Sequence, residues 1–302
     1  MARVTLTGAT GRIGLSLVDA LVARGDEVTV LTRRPERAAH KLPSAVAAHA
    51  WDPTAGPAPA DALAGRDAIV HLAGEDVAQR WSAKVKEEIR ASREAGTRNL
   101  VAGIASAGPR PKALVSASAA GYYGPRDDEP VAEDAAPGDD FLAQVVVAWE
   151  REAAAAEALG LRVALMRTGV VLSADAGALK KMLPPFKLGV GGPVAGGRQY
   201  IPWVHLDDVV GMYLAAIDDE RWSGPVNVVA PGAVSNRDFS KALGRALHRP
   251  ALAPVPGAAL KLLYGEMSQI VLTGVNMVPR RAQELGYAFR HPQVQEALEA
   301  TV

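Results

Sequence analysis

Short apolar runs alternate with longer Ala- and Leu-rich stretches over the first 172 residues. The stretch 12–25 has the spacing of an amphipathic helix, and 81–107 is predicted to form a long helix. The short runs are rich in apolar and β-branched residues and span 3–7, 27–33, 67–74, 112–118 and 162–172. Continuous apolar strands separated by helices predict a parallel sheet that is covered on both faces. The pattern therefore predicts an α/β fold with a doubly wound parallel sheet.

The alternation breaks after Leu172. The segment 189–203 is irregular and Gly-rich, 205–220 again has helical spacing, and 224–231 is a strand or an extended segment. A small helical part follows, in which Ser235 or Asn236 is expected to cap the first helix. We therefore expect a main domain of residues 1–172 that is completed by about 204–230. Residues 173–203 and 231–302 are expected to form a smaller part on the substrate side.

The overall composition excludes several classes of protein. The chain has 302 residues, 33 basic and 33 acidic side chains, 49% hydrophobic residues and no cysteine. A net charge of zero gives no reason to expect nucleic acid or an anionic membrane as a partner. We find no signal peptide and no apolar run of the roughly 18 residues that span a bilayer, so we expect a cytoplasmic protein. The six histidines lack the spacing of a helical metal motif, and no metal site is predicted.

A glycine-rich loop joins the first strand to the first helix. The sequence TGATGRIG places Gly8, Gly11 and Gly14 three residues apart. Such glycines permit a tight turn, close approach of a pyrophosphate, and close packing of the helix on the strand. The N–H groups at the start of the helix attract phosphate. The loop, with Thr10, Arg12 and Ile13, is therefore predicted to bind a dinucleotide in a Rossmann domain.

The end of the second strand indicates which dinucleotide is bound. An NAD site usually has a carboxylate there to hold the ribose 2′-hydroxyl, but this strand ends in Thr32, Arg33 and Arg34. A hydroxyl and a permanently charged guanidinium suit a 2′-phosphate. We therefore predict NADP(H) in preference to NAD(H), although a solvated basic turn would have the same composition.

Several further motifs resemble those of one family. The chain contains HLAG at 71–74, VSASAAGYYG at 115–124, RTGVVL at 167–172 and PWVHLDDVV at 202–210. With the Gly-rich loop, these motifs resemble the extended short-chain dehydrogenases/reductases. More narrowly, the chain is similar to an epimerase-like subfamily with a C-terminal domain of unknown function, some of whose members are labelled cell-division inhibitors.

The resemblance implies further cofactor contacts. Thr32 and Arg33 would hold the adenosine ribose and its phosphate. The end of the fourth strand and the segments that follow would supply further contacts, which by the resemblance are Leu72, Ala73, Gly74, Glu88, Arg93, Ser116 and Val170. Glu88 and Arg93 are five residues apart on one predicted helix, which is about 140° of rotation, so a solvated charged face is the alternative for that pair.

The resembled family uses a Tyr and a Lys four residues apart on the helix after the YYG sequence. A Glu usually stands four positions after the Lys, and Glu150 matches it. Counting back, the two positions hold Leu142 and Val146, or Phe141 and Val145 with a shift of one residue. The usual proton-transfer pair is therefore absent. The segment 141–150 has the character of a buried helix or a buried strand.

Other polar residues could take over proton transfer. Ser118 lies near the position of the family's catalytic serine, with Ser116 as the alternative. Tyr122 and Tyr123 follow the same strand, where open sheets bind ligands. We predict Ser118, Tyr122 and Tyr123 as catalytic candidates, with His205 as a possible helper. The alternative is that the tyrosines pack in the loop and that Asp207 caps a helix.

Two functions remain open from the sequence. The first is an NADP(H)-dependent oxidoreductase or epimerase-like enzyme that acts on an unknown small molecule with a modified proton relay. The second is a non-catalytic NADP(H)-binding sensor or regulatory protein, which the absent Tyr/Lys pair favours. The resemblance also makes a homodimer plausible, through helices at 81–105 and 140–159.

Overall fold

A seven-stranded parallel sheet forms the centre of the computed structural model, which describes residues 1–302. The strand order is β10-β6-β5-β4-β1-β2-β3. Its strands are β1 Arg3–Thr7, β2 Glu27–Thr32, β3 Ala47–Ala50, β4 Ala68–His71, β5 Ala113–Ala119, β6 Arg162–Thr168 and β10 Gly224–Val228. Two short pairs join β7 Val170–Leu172 to β9 Trp203–His205 and β8 Tyr200–Ile201 to β11 Val234–Ser235.

Helices cover both faces of this sheet. They are α1 Arg12–Ala23, α2 Pro35–Ala39, α3 Ala83–Ser106, α4 Phe141–Ala154, α5 Gly177–Lys187, α6 Leu206–Asp218, α7 Asn236–Ala246, α8 Gly257–Tyr264, α9 Gln269–Leu272, α10 Arg280–Glu284 and α11 Val294–Thr301. One buried cluster packs α1 and α6 against the sheet, and a second packs α3 on the other face. The predicted doubly wound α/β fold is confirmed.

Two strands differ from the prediction because tertiary packing, rather than local sequence, determines where they form and end. The predicted strand at 162–172 is divided at Gly169, where a Cβ atom would lie 1.9 Å from the Pro202 carbonyl oxygen. Strand β3 was not predicted because its sequence, AAHA, has none of the β-branched residues that favour strands. It forms at the sheet edge by pairing with Thr29–Thr32.

The ambiguous segment at 141–150 is helical. Helix α4 begins after Asp140, whose side chain accepts a hydrogen bond from the Ala143 N–H at 2.8 Å. Its buried residues include Val145, Val146 and Trp149, which face the sheet and α3.

The helices α5 and α7 to α11 and the short strands lie outside the seven-stranded sheet, and their expected role as a part on the substrate side stays a prediction. A separate apolar cluster, which includes Leu183, Phe186, Phe239 and Leu298, lies among them. Ser235 is the residue that caps α7, since its hydroxyl accepts a hydrogen bond from the Asp238 N–H at 3.1 Å. No helix of the chain combines the length and apolar character that crossing a bilayer would require.

Candidate functional site

The Gly-rich loop has the shape that its sequence predicts. Gly8 has a φ of +69°, and a Cβ atom there would lie 2.6 Å from the Leu72 carbonyl carbon. A Cβ atom at Gly14 would lie 2.5 Å from the Gly8 carbonyl oxygen, so this glycine lets α1 approach β1. At Gly11 a Cβ atom would meet nothing closer than 3.4 Å, and the space above the loop is open. The residues present therefore leave room for a pyrophosphate.

The start of α1 keeps its backbone donors free. No side chain caps the helix, and no acidic residue stands in its first turn. Thr10 and Gly11 are exposed and Ile13 is half-buried. Arg12 turns toward the end of β7, where its Nε donates to the Ser173 hydroxyl at 3.2 Å and lies 3.2 Å from Asp175 Oδ1. The arrangement offers N–H groups and a positive side chain to an anion.

A buried chain of hydrogen bonds fixes the end of β4. The Thr7 hydroxyl accepts from the N–H groups of Leu72 and Ala73, both at 3.2 Å, and lies 2.7 Å from Nδ1 of His71. The hydroxyl proton therefore points to Nδ1, and His71 donates from Nε2 to the Thr97 hydroxyl at 3.0 Å. Burial lowers the pKa of His71 to about 4, so the imidazole is neutral at pH 7. These bonds hold the backbone of the predicted cofactor loop.

Arg93 of α3 lies against the next residue of this loop. A Cβ atom at Gly74 would be 3.2 Å from its guanidinium carbon, and its Nη1 donates to the Glu75 carbonyl at 3.0 Å. Burial lowers the pKa of Arg93 to about 10, against the opposing attraction of Glu75 and Asp76, and the side chain stays charged at pH 7. It is therefore a cation held at the end of β4 by backbone carbonyls.

Glu88 lies apart from Arg93. Its side chain is exposed and pairs with Lys84 at 3.8 Å on the outer face of α3, as the 140° spacing anticipates. The structure does not bring the two side chains together, and a cofactor contact of Glu88 stays a prediction.

Thr32 and Arg33 lie at the tip of β2, beside the end of β3. Thr32 is half-buried, and Arg33 is exposed without an ion pair. The adjacent carboxylate is Asp52, whose pKa is lowered by hydrogen bonds from the Thr54 N–H and hydroxyl, and further by the charge of Arg33. The structure thus leaves the Arg33 guanidinium available at the place where the sequence predicts a 2′-phosphate.

The two remaining predicted cofactor residues are less accessible. Ser116 is fully buried inside β5, and its hydroxyl faces the Ala117 carbonyl at 3.2 Å. Val170 opens β7 and is half-buried, with its N–H bonded to the Pro202 carbonyl at 2.6 Å. Their contacts with a cofactor stay predictions.

A buried ion pair lies behind the end of β5. Arg167 donates from Nε and Nη2 to the two carboxylate oxygens of Glu150, both at 2.8 Å. The Ser118 hydroxyl donates to the same carboxylate at 2.6 Å. Burial opposes the charge of Arg167, but hydrogen bonding and attraction to Glu150 outweigh it and raise the pKa of the guanidinium. Ser118, a predicted catalytic residue, is thus 4% exposed and bound to a carboxylate.

Tyr123 belongs to the same network. Its ring is fully buried, its hydroxyl donates to Asn227 Oδ1 at 2.6 Å, and it accepts from Arg167 Nη1 at 2.9 Å. Burial raises the pKa of Tyr123 to about 12, against the opposing effects of Arg167 and Asn227. Asn227 in turn donates from Nδ2 to the Val278 carbonyl at 2.8 Å. Both hydrogen-bonding sites of the phenol are therefore occupied by protein groups.

Tyr122 is placed differently from its neighbour. It is half-buried in the 3₁₀ turn Ala120–Tyr123, and the Arg167 guanidinium carbon lies 3.4 Å from its ring centroid. Its hydroxyl makes no hydrogen bond within the chain. A Cβ atom at the preceding Gly121 would lie 3.4 Å from Leu142 Cβ and 3.8 Å from Val146 Cγ2. The two apolar residues in the family's Tyr and Lys positions therefore face this turn.

His205 ends β9 and directly precedes α6. The alternative in which Asp207 caps α6 is wrong, because the cap is the His205 side chain, whose Nδ1 accepts from the Asp207 N–H at 3.1 Å. Asp208 is fully buried and accepts from the N–H groups of Arg290 and His291. These contacts join α6 to the C-terminal segment.

A polar cleft of about 890 Å³ opens at the end of the sheet where the parallel strands begin. It is lined by residues at the beginnings of the strands, including Asp26, Asp67, Lys112 and Arg162. Ligands of open parallel sheets bind at the carboxyl ends of the strands. The candidate functional site is therefore the one at the carboxyl ends of the strands, where the Gly-rich loop and the tyrosines lie.

Sequence reasoning missed several residues of this region. Thr7, Thr97 and Asn227 organise the buried networks, and of these three only Asn227 is a single polar residue within an apolar stretch, PVNVVAP. Such a residue is itself a signal, because a buried polar group needs a partner. The partners of Asn227 lie 51 and 104 residues away, and the sequence does not identify them.

Comparison with known proteins agrees with this architecture. Residues 4–229 match the model of the NAD dependent epimerase/dehydratase family, and residues 255–301 match a domain of unknown function, DUF1731. The chain is 40% identical to the chloroplastic epimerase family protein SDR39U1 homolog of Arabidopsis thaliana, over 98% of this chain and 86% of that protein. It is 35% identical to the Bacillus subtilis epimerase family protein YfhF, over 99% and 97%.

Solved structures show the same fold. The crystal structure of human epimerase family protein SDR39U1 (isoform 2) with NADPH superposes with a TM-score of 0.87 at 35% identity, covering 99% of this chain and 98% of that one. The nucleoside-diphosphate sugar epimerase from Corynebacterium glutamicum superposes with a TM-score of 0.78 at 34% identity, covering 99% of this chain and 58% of that one. The resemblance inferred from the motifs is confirmed, and the chain belongs to the NAD dependent epimerase/dehydratase family, with a Rossmann-like fold and a C-terminal DUF1731 domain.

Proposed function

We propose that the protein is an NADP(H)-dependent oxidoreductase of the epimerase type, in which Tyr122 replaces the missing Tyr/Lys pair as proton donor. The observation that carries this proposal is the phenol of Tyr122, which is half-buried at the carboxyl end of β5 and has no hydrogen-bond partner in the protein. The substrate is a small molecule that binds between this sheet edge and the C-terminal part.

The cofactor part of the proposal rests on a backbone cradle and three cations. Gly8 lets the loop approach the end of β4, Gly14 lets α1 approach β1, and no side chain caps the N–H groups at the start of α1. Arg12 places positive charge at the start of α1, Arg33 at the tip of β2, and Arg93 at the end of β4. A relative that is 35% identical has been solved with NADPH, which supports the same class of cofactor here.

The preference for NADP(H) is tested at Arg33. We expect Arg33→Ala to weaken NADPH binding roughly tenfold or more, because a charge-assisted contact to the 2′-phosphate is lost, and to leave NADH binding unchanged. Fluorescence titration measures both affinities. Arg37→Ala is the matched control, since this arginine is also exposed and lies on the neighbouring α2. Equal loss for both cofactors would contradict the preference while leaving dinucleotide binding intact.

The proton-transfer part rests on the contrast between the two tyrosines. Tyr123 is occupied by Asn227 and Arg167, and burial raises its pKa to about 12. The Tyr122 hydroxyl instead makes no hydrogen bond within the chain, and Arg167 stacks on the ring at 3.4 Å. The guanidinium also places positive charge near the negative charge that develops on a phenol giving up its proton. The chemistry that NADPH would supply when bound is a hydride for the carbonyl carbon of a substrate, and Tyr122 would donate the proton to the carbonyl oxygen.

The test compares Tyr122→Phe with Tyr123→Phe. Turnover is followed by loss of NADPH absorbance with a panel of carbonyl compounds and nucleotide sugars. We expect Tyr122→Phe to lower kcat by about 10²-fold or more without changing NADPH affinity. Tyr123→Phe should keep most of its activity, although it should be less stable. Full activity in Tyr122→Phe would contradict the assignment.

A non-catalytic NADP(H) sensor is the second candidate. It is favoured by Leu142 and Val146, which are apolar at the positions where the resembled family has its proton-transfer pair. Tight NADPH binding with no oxidation by any compound of the panel would support the sensor and contradict the enzyme.

A further inference from the structure

Two adjacent residues of α4 contact two different arginines. Glu150 accepts two hydrogen bonds of 2.8 Å from Arg167, so the charge of Arg167 is neutralised within the protein. Trp149 instead lies against Arg93, whose guanidinium carbon is 5.2 Å from the centroid of the indole ring. That distance is within the roughly 6 Å over which an aromatic ring attracts a cation. One arginine is therefore held by a carboxylate and the other by an aromatic face.

Arg93 forms no ion pair with a carboxylate. The charges of Glu75 and Asp76 attract it from a distance, and only its Nη1 donates within the chain, to the carbonyls of Glu75 at 3.0 Å and Ile89 at 3.3 Å. Its Nε and Nη2 have no acceptor in the protein. Because a guanidinium binds an anion through several N–H groups at once, these free donors suit a phosphate or a carboxylate of a ligand.

The guanidinium of Arg93 lies beside the predicted cofactor loop. A Cβ atom at Gly8 would lie 2.6 Å from the carbonyl carbon of Leu72 and 2.8 Å from the nitrogen of Ala73. Arg93 covers the next residue, Gly74, where a Cβ atom would lie 3.3 Å from Nη2. The unpaired cation is therefore close to the segment that the Gly-rich loop contacts, and the start of α1 after that loop attracts anions.

An indole suits this position because it stabilises a cation without supplying a competing charge. A carboxylate in its place would bind the guanidinium and repel an approaching phosphate. An aromatic face attracts the cation through its quadrupole and brings no anionic oxygen. Trp149 is 5% exposed, so its ring is fixed by the surrounding core. Burial lowers the pKa of Arg93 only to about 10, and the guanidinium therefore keeps its charge at pH 7.

We propose that Trp149 is a positioning residue that holds the unpaired guanidinium of Arg93 in place to bind an anionic group of NADP(H). The inference rests on the proposed function, because it concerns the same cofactor. It also gives a role to a residue of the apolar segment 141–150 beyond filling the core. The alternative is that Trp149 only packs between α4 and α3.

The first test compares Trp149→Phe, which keeps an aromatic face, with Trp149→Met, which fills the space with a flexible apolar side chain. Both remove Nε1, which has no hydrogen-bond partner in the chain, so the variants differ chiefly in the face presented to Arg93. We expect Trp149→Met to weaken NADPH binding about three- to tenfold and Trp149→Phe to weaken it less than about twofold. Fluorescence titration measures the affinities, and urea unfolding compares the stabilities of the two variants.

A double-mutant cycle with Arg93→Met separates positioning from core packing. Arg93→Met should weaken NADPH binding by about tenfold or more, because a charge-assisted contact is lost. Adding Trp149→Met to that variant should change the affinity less than about twofold. Trp222→Met is the matched control, since Trp222 is 2% exposed and packs edge-on against Tyr287 rather than against a cation. It should lower stability and leave NADPH affinity unchanged.

The outcomes separate this inference from the proposed function. Equal loss of NADPH affinity from Trp149→Met with and without Arg93 would overturn the inference. Unchanged affinity in Arg93→Met, or equal losses in Trp149→Phe and Trp149→Met, would overturn it too, while NADPH binding by the unmodified chain still supported the proposed function. If the unmodified chain bound no NADPH, the proposed function would be contradicted, and the inference with it.

Discussion

The two ends of the site are built in different ways. At the Gly-rich loop, the shape comes from missing side chains, and neutral hydroxyl and imidazole groups of Thr7 and His71 hold the adjacent end of β4. At the end of β5, an ion pair between Glu150 and Arg167 organises Ser118 and Tyr123. The first end depends on space and the second on buried charge, so the same kind of substitution should have unlike effects at the two ends.

The largest effect is expected at the ion pair. Arg167→Met leaves the Glu150 carboxylate buried without its cation, and we expect a loss of about 3–5 kcal/mol in the free energy of unfolding. The double variant Glu150→Leu, Arg167→Met removes both charges and should be more stable than Arg167→Met alone. Urea unfolding measures both. The single variant Glu150→Leu completes the comparison. If the double variant lost as much free energy of unfolding as the two single variants together, burial of an unpaired charge would not be the cause.

The next effect is expected at Gly8. Gly8→Ala combines a positive φ with a Cβ atom 2.6 Å from the Leu72 carbonyl carbon, so we expect a loss of about 2–4 kcal/mol. Gly11→Ala is the matched control, because its backbone is extended and the space around it is open. It should change the free energy of unfolding by less than about 1 kcal/mol while it weakens NADPH binding. Equal stability of the two variants would contradict a steric role for Gly8.

The smallest of the three effects is a pH dependence at His71. Its pKa is lowered to about 4 by burial, whereas in the unfolded chain it is about 6.5. Between these values only the unfolded state binds the proton, so stability falls as the pH decreases from 6.5 toward 4. We expect about 2 kcal/mol to be lost between pH 6.5 and pH 5.

This loss should be absent from the pH dependence of His71→Gln. Urea unfolding of both proteins at the two pH values gives the difference, and it cancels the contributions of other groups. An identical pH dependence in the two proteins would show that His71 is not the buried neutral group that titrates.

The cofactor end could be predicted because its determinants are local. Gly8, Gly11 and Gly14 lie within one turn of chain between a strand and a helix, and the motif has a known physical purpose. The fold class followed from periodicity for the same reason. The exception is β3, whose four residues form a strand only because the sheet edge is free to pair with them.

The other end could not be predicted because its determinants are distant. In the sequence, Glu150 matches a residue of the resembled family and Arg167 belongs to a predicted strand. Nothing in the sequence indicates that the two side chains pair. Tyr122 and Tyr123 are adjacent and chemically identical, yet one is half-buried with a free hydroxyl and the other is enclosed by Asn227. The difference arises from β10, which lies about 100 residues further along the chain.

That edge strand has a consequence for synthesis on the ribosome. All side chains that hold the cofactor loop, from Thr7 to Thr97, have been translated before a third of the chain is made. Asn227 acquires its full set of partners only when Val278 has left the exit tunnel, close to the end of translation. Because domains fold from the N-terminus as they emerge, we expect the nascent chain to carry a formed dinucleotide loop for most of its synthesis. The hydrogen-bond network of Tyr123, Asn227 and Val278 would then be completed last.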